Sequence, residues 1–532
     1  MTTVDAIVIG AGPNGLTAAN LLADRGWDVL VLEANDEPGG AVRTGGVTAP
    51  GFRNDLYSAF YPLGAASPVI TGLHLEDHGL RWVHAPHVLA HPRPDAPGAL
   101  LDRDPAVTAA SLDADTPGDG DAYLELHARW ERVGPALIAG LLSPFPPVRG
   151  GIRLAAATLG RDARDTARMA IMPVRRMVEE RFRGEAARLL FAGNALHADL
   201  TPESAGSSLF GWLLVALGQT VGFPVPEGGA GQIIAAMVRR LEAGGGALRT
   251  GTRVETVRVE HGRATGVVIA GGEVVHARRA VLADTHVVAL YEHLVGVEHL
   301  PAKVVAALDR FQAGSGTIKV DWALSGPIPW IDEGARRAGT VHVAHSLDEL
   351  TRSATDLAVD AIPADPFLLI GQMTTTDPTR SPAGTESAWA YTHVPQLTRR
   401  DSGPDGLTGR WDEAELATFA SRMEARIEEL APGFGDLVLA RHLAGPHELE
   451  AANANLRGGD IGGGTSQLHQ QLLFRPLGGA GAGRAETPIA GLYLASASAH
   501  PGGAVHGACG ANAARAAVAH DRLQRLRSRL PV

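Results

Sequence analysis

Cysteine is almost absent, Cys509 being the only one in 532 residues. An intrachain disulfide is therefore excluded. With no C-x-x-C pair, dithiol redox chemistry and cysteine-ligated zinc are excluded too. Lysine occurs only at Lys303 and Lys319; the other basic residues are arginines, which reads as coding bias rather than mechanism. No run of about 20 apolar residues is present, so no bilayer-spanning helix is expected. No apolar h-region precedes the first strand pattern, so a secretory signal is not expected and the cytoplasm is the default location. G-x-S-x-G, zincin and P-loop motifs are missing. A net charge of −11 argues against a general nucleic-acid binder. Apolar content of 45% and charged content of 20% fit a water-soluble chain, long enough for two or more domains.

What is present is dominated by residues 4–44. An apolar run over residues 6–9 meets Gly10, Gly12 and Gly15 in G-x-G-x-x-G spacing. Leu16, Ala19, Leu22 and Ala23 mark one face of a helix, and a second apolar run, Val29–Leu32, ends in Glu33. Strand, glycines, helix, strand and acid in this order predict a dinucleotide-binding unit. Gly10 allows the tight turn, Gly12 the close approach of backbone to a diphosphate, and Gly15 the packing of helix on strand. The helix N-terminus at Pro13 and Asn14 offers unpaired N–H groups to phosphate. Glu33, 23 residues after Gly10 and followed by Ala34, is placed to accept hydrogen bonds from ribose hydroxyls. An acid there disfavours a 2′-phosphate.

The continuation Gly39-Gly40-Ala41-Val42-Arg43-Thr44 resembles the GG-x-x-R-T segment of the FAD-binding superfamily that includes amine oxidases and phytoene desaturases. The resemblance implies that Gly39 and Gly40 pass the FAD diphosphate and that Arg43 lies beside the cofactor. Gly51 to Ser58 resembles the family's segment leading towards the flavin. Val225-Pro226-Glu227-Gly228-Gly229, a helix over residues 232–242 and a strand pair over 252–259 and 264–269 follow the family's order. Val254 would pack near the adenine. Residues 274–276 and 280–284 resemble strands returning to the FAD sheet, with Asp284, Thr285 and His286 at the carboxyl end, where ligands bind in such sheets. Residues 446–476 resemble a loop that approaches the substrate cavity in relatives. A strand over 491–496, the turn Gly502-Gly503-Ala504-Val505 and a helix over 508–523 resemble the closing FAD motif. A helix N-terminus aimed at the flavin stabilises charge that accumulates on reduction.

Elsewhere the signals are weaker. His74, His78, His84, His87 and His91 fit no compact metal spacing, so no metal is expected; strands are expected over 80–85 and 88–91. Residues 121–217 read as mostly helical. Arginines 149 to 188 number ten against five acids, suited to an anionic membrane surface or to an ordinary solvated helix pair. Residues 207–217 are almost wholly apolar and are expected to be buried or to line a cavity. Strands are expected over 317–324, 367–373 and 388–393, and a helix over 411–430.

The resemblance covers nearly the whole chain. It is most similar to phytoene-desaturase-like FAD-dependent oxidoreductases, in the branch of pyridine nucleotide-disulphide oxidoreductase domain-containing protein 2. The implied fold is α/β, a Rossmann-type FAD-binding domain (residues 1–70, 222–290 and 486–532) interleaved with a mixed α+β substrate domain (71–221 and 291–485). The implied activity is hydride transfer from an apolar lipid-, isoprenoid- or polyketide-like substrate to flavin N5, with oxygen, a quinone or a nicotinamide as acceptor. His500 and His506, flanking the closing motif, are the acid–base candidates. Alternatives are a redox-neutral isomerase or saturase, an amine oxidase and a non-catalytic flavin-binding interaction protein. An amine oxidase wants an aromatic cage, and aromatics are 5% of this chain. Oligomeric state is not legible, and peripheral membrane contact stays open.

Overall fold

The computed structural model describes residues 2–148, 152, 161–478 and 483–527. Its main strands, in chain order, are β1 Thr2–Ile9, β2 Val29–Leu32, β3 His87–His91, β4 Ala99–Leu101, β5 Ala247–Arg249, β6 Val254–Glu260, β7 Arg263–Ile269, β8 Val274–Ala283, β9 Gly316–Leu324, β10 Ala338–Val343, β11 Leu368–Gln372, β12 Glu386–Val394, β13 Val438–Ala444 and β14 Leu492–Leu494. The helices packed on them include α1 Pro13–Ala23, α2 Glu185–His197, α3 Ser207–Thr220, α4 Gly231–Ala243, α5 Glu413–Glu428 and α6 Ala508–Arg527.

The first sheet runs β6-β7-β8-β1-β2-β5, with β14 pairing β8. β1, β2, β5 and the end of β8 are parallel to their neighbours. Strands covered on both faces become continuous apolar runs, which is why residues 4–9 and all of β2 are buried. One face packs on α1, α4 and α6 through Leu16, Leu22, Met237, Leu241 and Ala513. The other packs through Ile7, Leu30 and Val281 on Tyr291, Val304 and Leu308. β6 and β7 form a hairpin whose two turn residues, His261 (φ 51°) and Gly262 (φ 73°), are both left-handed. Such a turn matches the twist of the strands.

The second sheet runs β13-β9-β12-β11-β10-β3-β4. It is antiparallel except where β10 meets β3. Alternation sorts its residues. Ile318, Val320, Trp322, Ile370 and Ala390 face α5 and pack on Phe419, Met423 and Ile427. Thr317, Lys319 and Asp321 of β9 pair with His393, Tyr391 and Trp389 of β12 on the opposite face. α2 and α3 belong to the neighbouring core, which includes Leu89, Phe191, Trp212 and Leu217.

Two expectations are revised by the structure. The strands expected at 274–276 and 280–284 are one strand, β8, whose register on β1 shifts at Arg278 and Arg279; both of these reach Asp5 (2.7 and 3.2 Å). The strand expected over 80–85 shrinks to Trp82–Val83, paired with Val225–Pro226. Part of the arginine-rich stretch, residues 149–151 and 153–160, lies outside the described residues. In the described part, Met169, Met172, Val174, Met177 and Val178 turn into the core. Arg168 and Arg176 share Glu180, and Arg175 pairs with Asp348. Among the described residues no helix is long and apolar enough to cross a membrane.

α6 crosses the start of α1 so closely that a Cβ on Gly510 would lie 1.9 Å from the Asn14 carbonyl oxygen. Helix propensity alone favours alanine over glycine by about 1 kcal/mol, but overpacking costs about 1–3 kcal/mol, and here the clash is with backbone. Gly510→Ala is therefore expected to lower unfolding stability, measured by chemical denaturation. An increase would show that the two helices are free to move apart.

Candidate functional site

Register places the ends of three parallel strands side by side. Ile9 pairs with Leu32 on β2 and with Ala283 on β8. The next residues, Gly10, Glu33 and Asp284, therefore rim one crevice at the carboxyl edge of the sheet, which is where doubly wound folds bind ligands. Gly10 has φ +95°, and a Cβ on Gly15 would lie 2.2 Å from the Gly10 carbonyl oxygen. α1 begins at Pro13, after Gly12. The Glu33 carboxylate accepts from the Ala11 N–H (2.8 Å) and the Asn35 N–H (2.9 Å), so it also braces the glycine turn. Asp284 accepts from the Gly15 N–H at 2.8 Å. Burial, reinforced by the Glu33 charge, pushes its carboxyl up to about 7 against the Gly15 hydrogen bond.

The Gly39–Gly40 turn leans on this loop: the Gly39 N–H donates to Ala11 O at 3.0 Å, and a Cβ on Gly40 would lie 3.3 Å from Gly12 Cα. Arg43 donates from Nη2 to the Tyr57 hydroxyl (2.6 Å) and to Ala452 O (3.2 Å). Val254, at the start of β6, is buried, while Ala34 is exposed. Asn455 donates to Asp284 O at 3.0 Å, tying the 453–459 turn to the same rim. Asn14 Oδ1, Arg43 Nε and Thr285 Oγ1 are buried without a protein partner. Unpaired polar atoms on a glycine-lined crevice next to a helix N-terminus fit a cofactor rich in donors and acceptors.

The closing turn reaches the glycine-rich 458–464 loop: a Cβ on Gly503 would lie 3.2 Å from Gly462 Cα. Gly502 (φ +116°) and Ala504 (φ +81°) both have positive φ. For alanine this is a strained conformation, of the kind that concentrates at functional sites; Val505 follows, half-buried. His500 Nε2 meets Ser143 O at 3.0 Å, and His506 Nδ1 accepts from the Ala508 N–H at 3.0 Å. Burial pulls both rings down to about 4. Burial likewise pushes the Cys509 thiol up to about 12.

Several polar groups were not singled out from the sequence. The Asp460 carboxylate accepts from the Gly314, Gly462 and Gly464 N–H groups, each at 2.8 Å. Buried Arg475 donates to Gly462 O (2.8 Å), Thr465 O (3.3 Å) and Ala497 O (2.7 Å), so the glycine-rich loop is held from both sides. Asp199 pairs with His393 at 2.7 Å. Burial works against the His393 charge, but Asp199 holds it above its ordinary value. Lys319 and Asp321 form a buried ion pair, and Asp55 pairs with fully buried Arg380. The available signal was a lysine and an aspartate two apart inside an otherwise apolar strand, in a chain with so few lysines.

The family model for flavin containing amine oxidoreductase matches residues 14–363. The chain belongs to this family. Within it, the rat pyridine nucleotide-disulfide oxidoreductase domain-containing protein 2 is 28% identical, the match covering 96% of this chain and 92% of that protein. A lycopene-forming phytoene desaturase from Pseudescherichia vulneris is 26% identical over 97% of this chain and 99% of its own. Among solved structures, an oxidoreductase from Methanosarcina mazei superposes with a TM-score of 0.59 at 16% identity, over 98% of this chain and 100% of that one. Cyclohexylamine oxidase from Brevibacterium oxydans gives 0.56 at 17%, over 98% and 99%. The protein is an FAD-dependent oxidoreductase of the flavin-containing amine oxidoreductase family, similar to phytoene desaturases, with a Rossmann-type cofactor fold and a substrate domain.

Two outcomes follow from the rim. A hydrogen bond to a charged group contributes roughly 1.5–3 kcal/mol, so Glu33→Ala is expected to weaken FAD binding about tenfold to a hundredfold. Titration of the apoprotein checks this, and unchanged affinity would remove Glu33 from the site. Asp284 has a folded-state value near 7 against an ordinary 3.8. Between those values the unfolded chain has lost this proton while the folded chain keeps it, so stability falls as pH rises through that window. The melting temperature of apo Asp284→Asn minus that of the wild type should therefore grow from pH 4 to pH 7. A constant difference would contradict the buried, protonated carboxyl.

Proposed function

We propose that the protein dehydrogenates an apolar lipid-, isoprenoid- or polyketide-like substrate, a substrate C–H bond passing hydride to flavin N5. In this reading residues 1–70, 222–290 and 486–532 hold the cofactor, and 71–221 and 291–485 enclose the substrate. Bound FAD supplies the two-electron redox chemistry. The protein's part is to bind, orient and keep water out.

The observation that carries the reading is the wall in front of the second sheet. Phe60, Leu209, Phe210 and Phe367 pack against the buried core yet keep accessible surface. Trp389 stacks on Tyr391 beside them. Large apolar side chains arranged so are typical of pockets for apolar ligands. The charged groups on this face, Lys319 with Asp321 and Asp199 with His393, already neutralise one another. That pairing disfavours a charged substrate. We assign His500 and His506 to shaping the closing turn, since each spends a ring nitrogen on backbone and burial keeps both uncharged. Exposed Leu472, Leu473 and Phe474 are suited to brief contact with a lipid surface from which such a substrate would come.

Anaerobic mixing of the FAD-loaded enzyme with polyene and isoprenoid candidates tests the reading. Substrate-dependent bleaching of the flavin bands is expected. Product formed with no acceptor and no net bleaching would replace dehydrogenation by isomerisation. Bleaching by amines alone would turn the assignment to amine oxidation.

A further inference from the structure

One row of residues crosses the second sheet. Lys319 on β9 pairs with Tyr391 on β12, Tyr391 with Leu369 on β11, and Leu369 with His342 on β10. Directly paired residues share a face, so all four belong to the face that the apolar wall covers. At ordinary strand spacing the row runs about 14 Å from Lys319 to His342. The Lys319 end lies on the cofactor side, since β9 starts against the 453–459 turn, where a Cβ on Gly459 would lie 3.0 Å from the Thr317 nitrogen.

At the far end stand three histidines from separate elements. The ring of His342 meets those of His91 and His197 edge-on, at centroid distances of 5.9 and 5.7 Å. His91 Nε2 is bonded to Ala344 O at 2.9 Å. His91 Nδ1, His197 Nδ1 and both nitrogens of His342 are buried without a partner, as are Asn194 Oδ1 on α2 and Thr340 Oγ1 on β10. Burial lowers His91 and His197 to about 4, and His342 well below its ordinary value. A neutral imidazole has one donor and one acceptor, so His342 carries an unpaired N–H in the interior. Leaving such a group unpaired is destabilising. Packing does not require three such rings: they meet Phe223 and Phe367, and an apolar ring would serve there equally. His197, Phe367 and Tyr391 keep accessible surface, although burial dominates the shifts of His197 and Tyr391.

We propose that His91, His197 and His342 form a subsite that hydrogen-bonds an uncharged oxygen function, a hydroxyl or a ketone, at one end of an otherwise apolar substrate. The subsite rests on the apolar-cavity reading above. It sets the reacting carbon about three strand spacings away, towards Lys319. A charged end group is disfavoured because the rings are neutral and Asp199, the carboxylate that acts on His197, is already paired with His393. An unpaired buried charge is strongly destabilising.

The test is direct binding to the FAD-loaded protein, followed by tryptophan fluorescence and flavin absorption, of decane, 1-decanol, 2-decanone, decanoate and decylamine. The alcohol and ketone should bind about tenfold tighter than decane, as one net hydrogen bond allows. Decanoate and decylamine should bind no tighter than decane. His197→Phe should erase the preference for alcohol over alkane while leaving decane binding unchanged, and His197→Asn should keep part of it. His342→Leu should act like His197→Phe; should it fail to retain FAD, the His197 pair decides alone. Equal affinities for decane and decanol in the wild type would overturn the subsite while leaving the apolar cavity. A preference that survives His197→Phe, or tightest binding of decanoate or decylamine, would overturn it too. Failure of every probe to bind would remove the cavity and the subsite together.

Discussion

The site depends on a carboxylate bonded to a backbone N–H at the edge of the first sheet. Glu33 holds Ala11 and Asp284 holds Gly15, so the turn between β1 and α1 is gripped from both neighbouring strands. A glycine loop left alone would sample many conformations, and ordering it on cofactor binding would cost roughly 1–2 kcal/mol per residue. Here the ordering is done by the fold. The crowding at Gly15 and Gly510, where an added methyl would meet backbone, shows how little space that arrangement leaves.

The two sheets use polarity in opposite ways. In the first, β2 and the end of β1 are apolar on both faces, and the polar groups that rim the crevice stand just past the strand ends. The second places a lysine and an aspartate in mid-strand, on the face opposite α5. A buried lysine on such a face is stable only with its charge answered, which Asp321 does two residues along the same strand. Asp199 does the same for His393 from the end of a helix. The result is a wall that keeps hydrogen-bonding capacity while these charges are paired.

Much of this was legible in the chain, for local reasons. β2 is an apolar run bounded by polar residues, and it forms over the residues that the run marks. β9 begins one residue before its expected start. The G-x-G-x-x-G spacing and the acid after β2 led to the crevice because that motif is contiguous in sequence. The second wall was not legible for the converse reason. Asp199 and His393 are 194 positions apart, and His91, His197 and His342 come from a strand, a helix and another strand. The histidines at 74–91 were weighed as a group by their closeness in sequence, whereas only His91 is drawn into the cluster, by partners far along the chain. Arg278 and Arg279 misled in another way: two charges in a strand look like a break until Asp5 supplies their partner.

The position of β14 and α6 has a consequence for the making of the protein. β14 completes the edge of a sheet whose first strand begins at Thr2, and α6 lies against the Asn14 backbone. The glycine turn near the start of the chain is thus closed by a helix that begins only at Ala508. At about 5–20 residues per second the N-terminal glycine turn waits roughly half a minute to two minutes for its final wall. During that interval α4 and the 291–308 segment can cover part of the first sheet, but the α6 contacts of Ala513, Ala514 and Ala517 are missing. A chain stopped anywhere before residue 490 would have a first sheet without β14 and a glycine turn without the helix that crosses it.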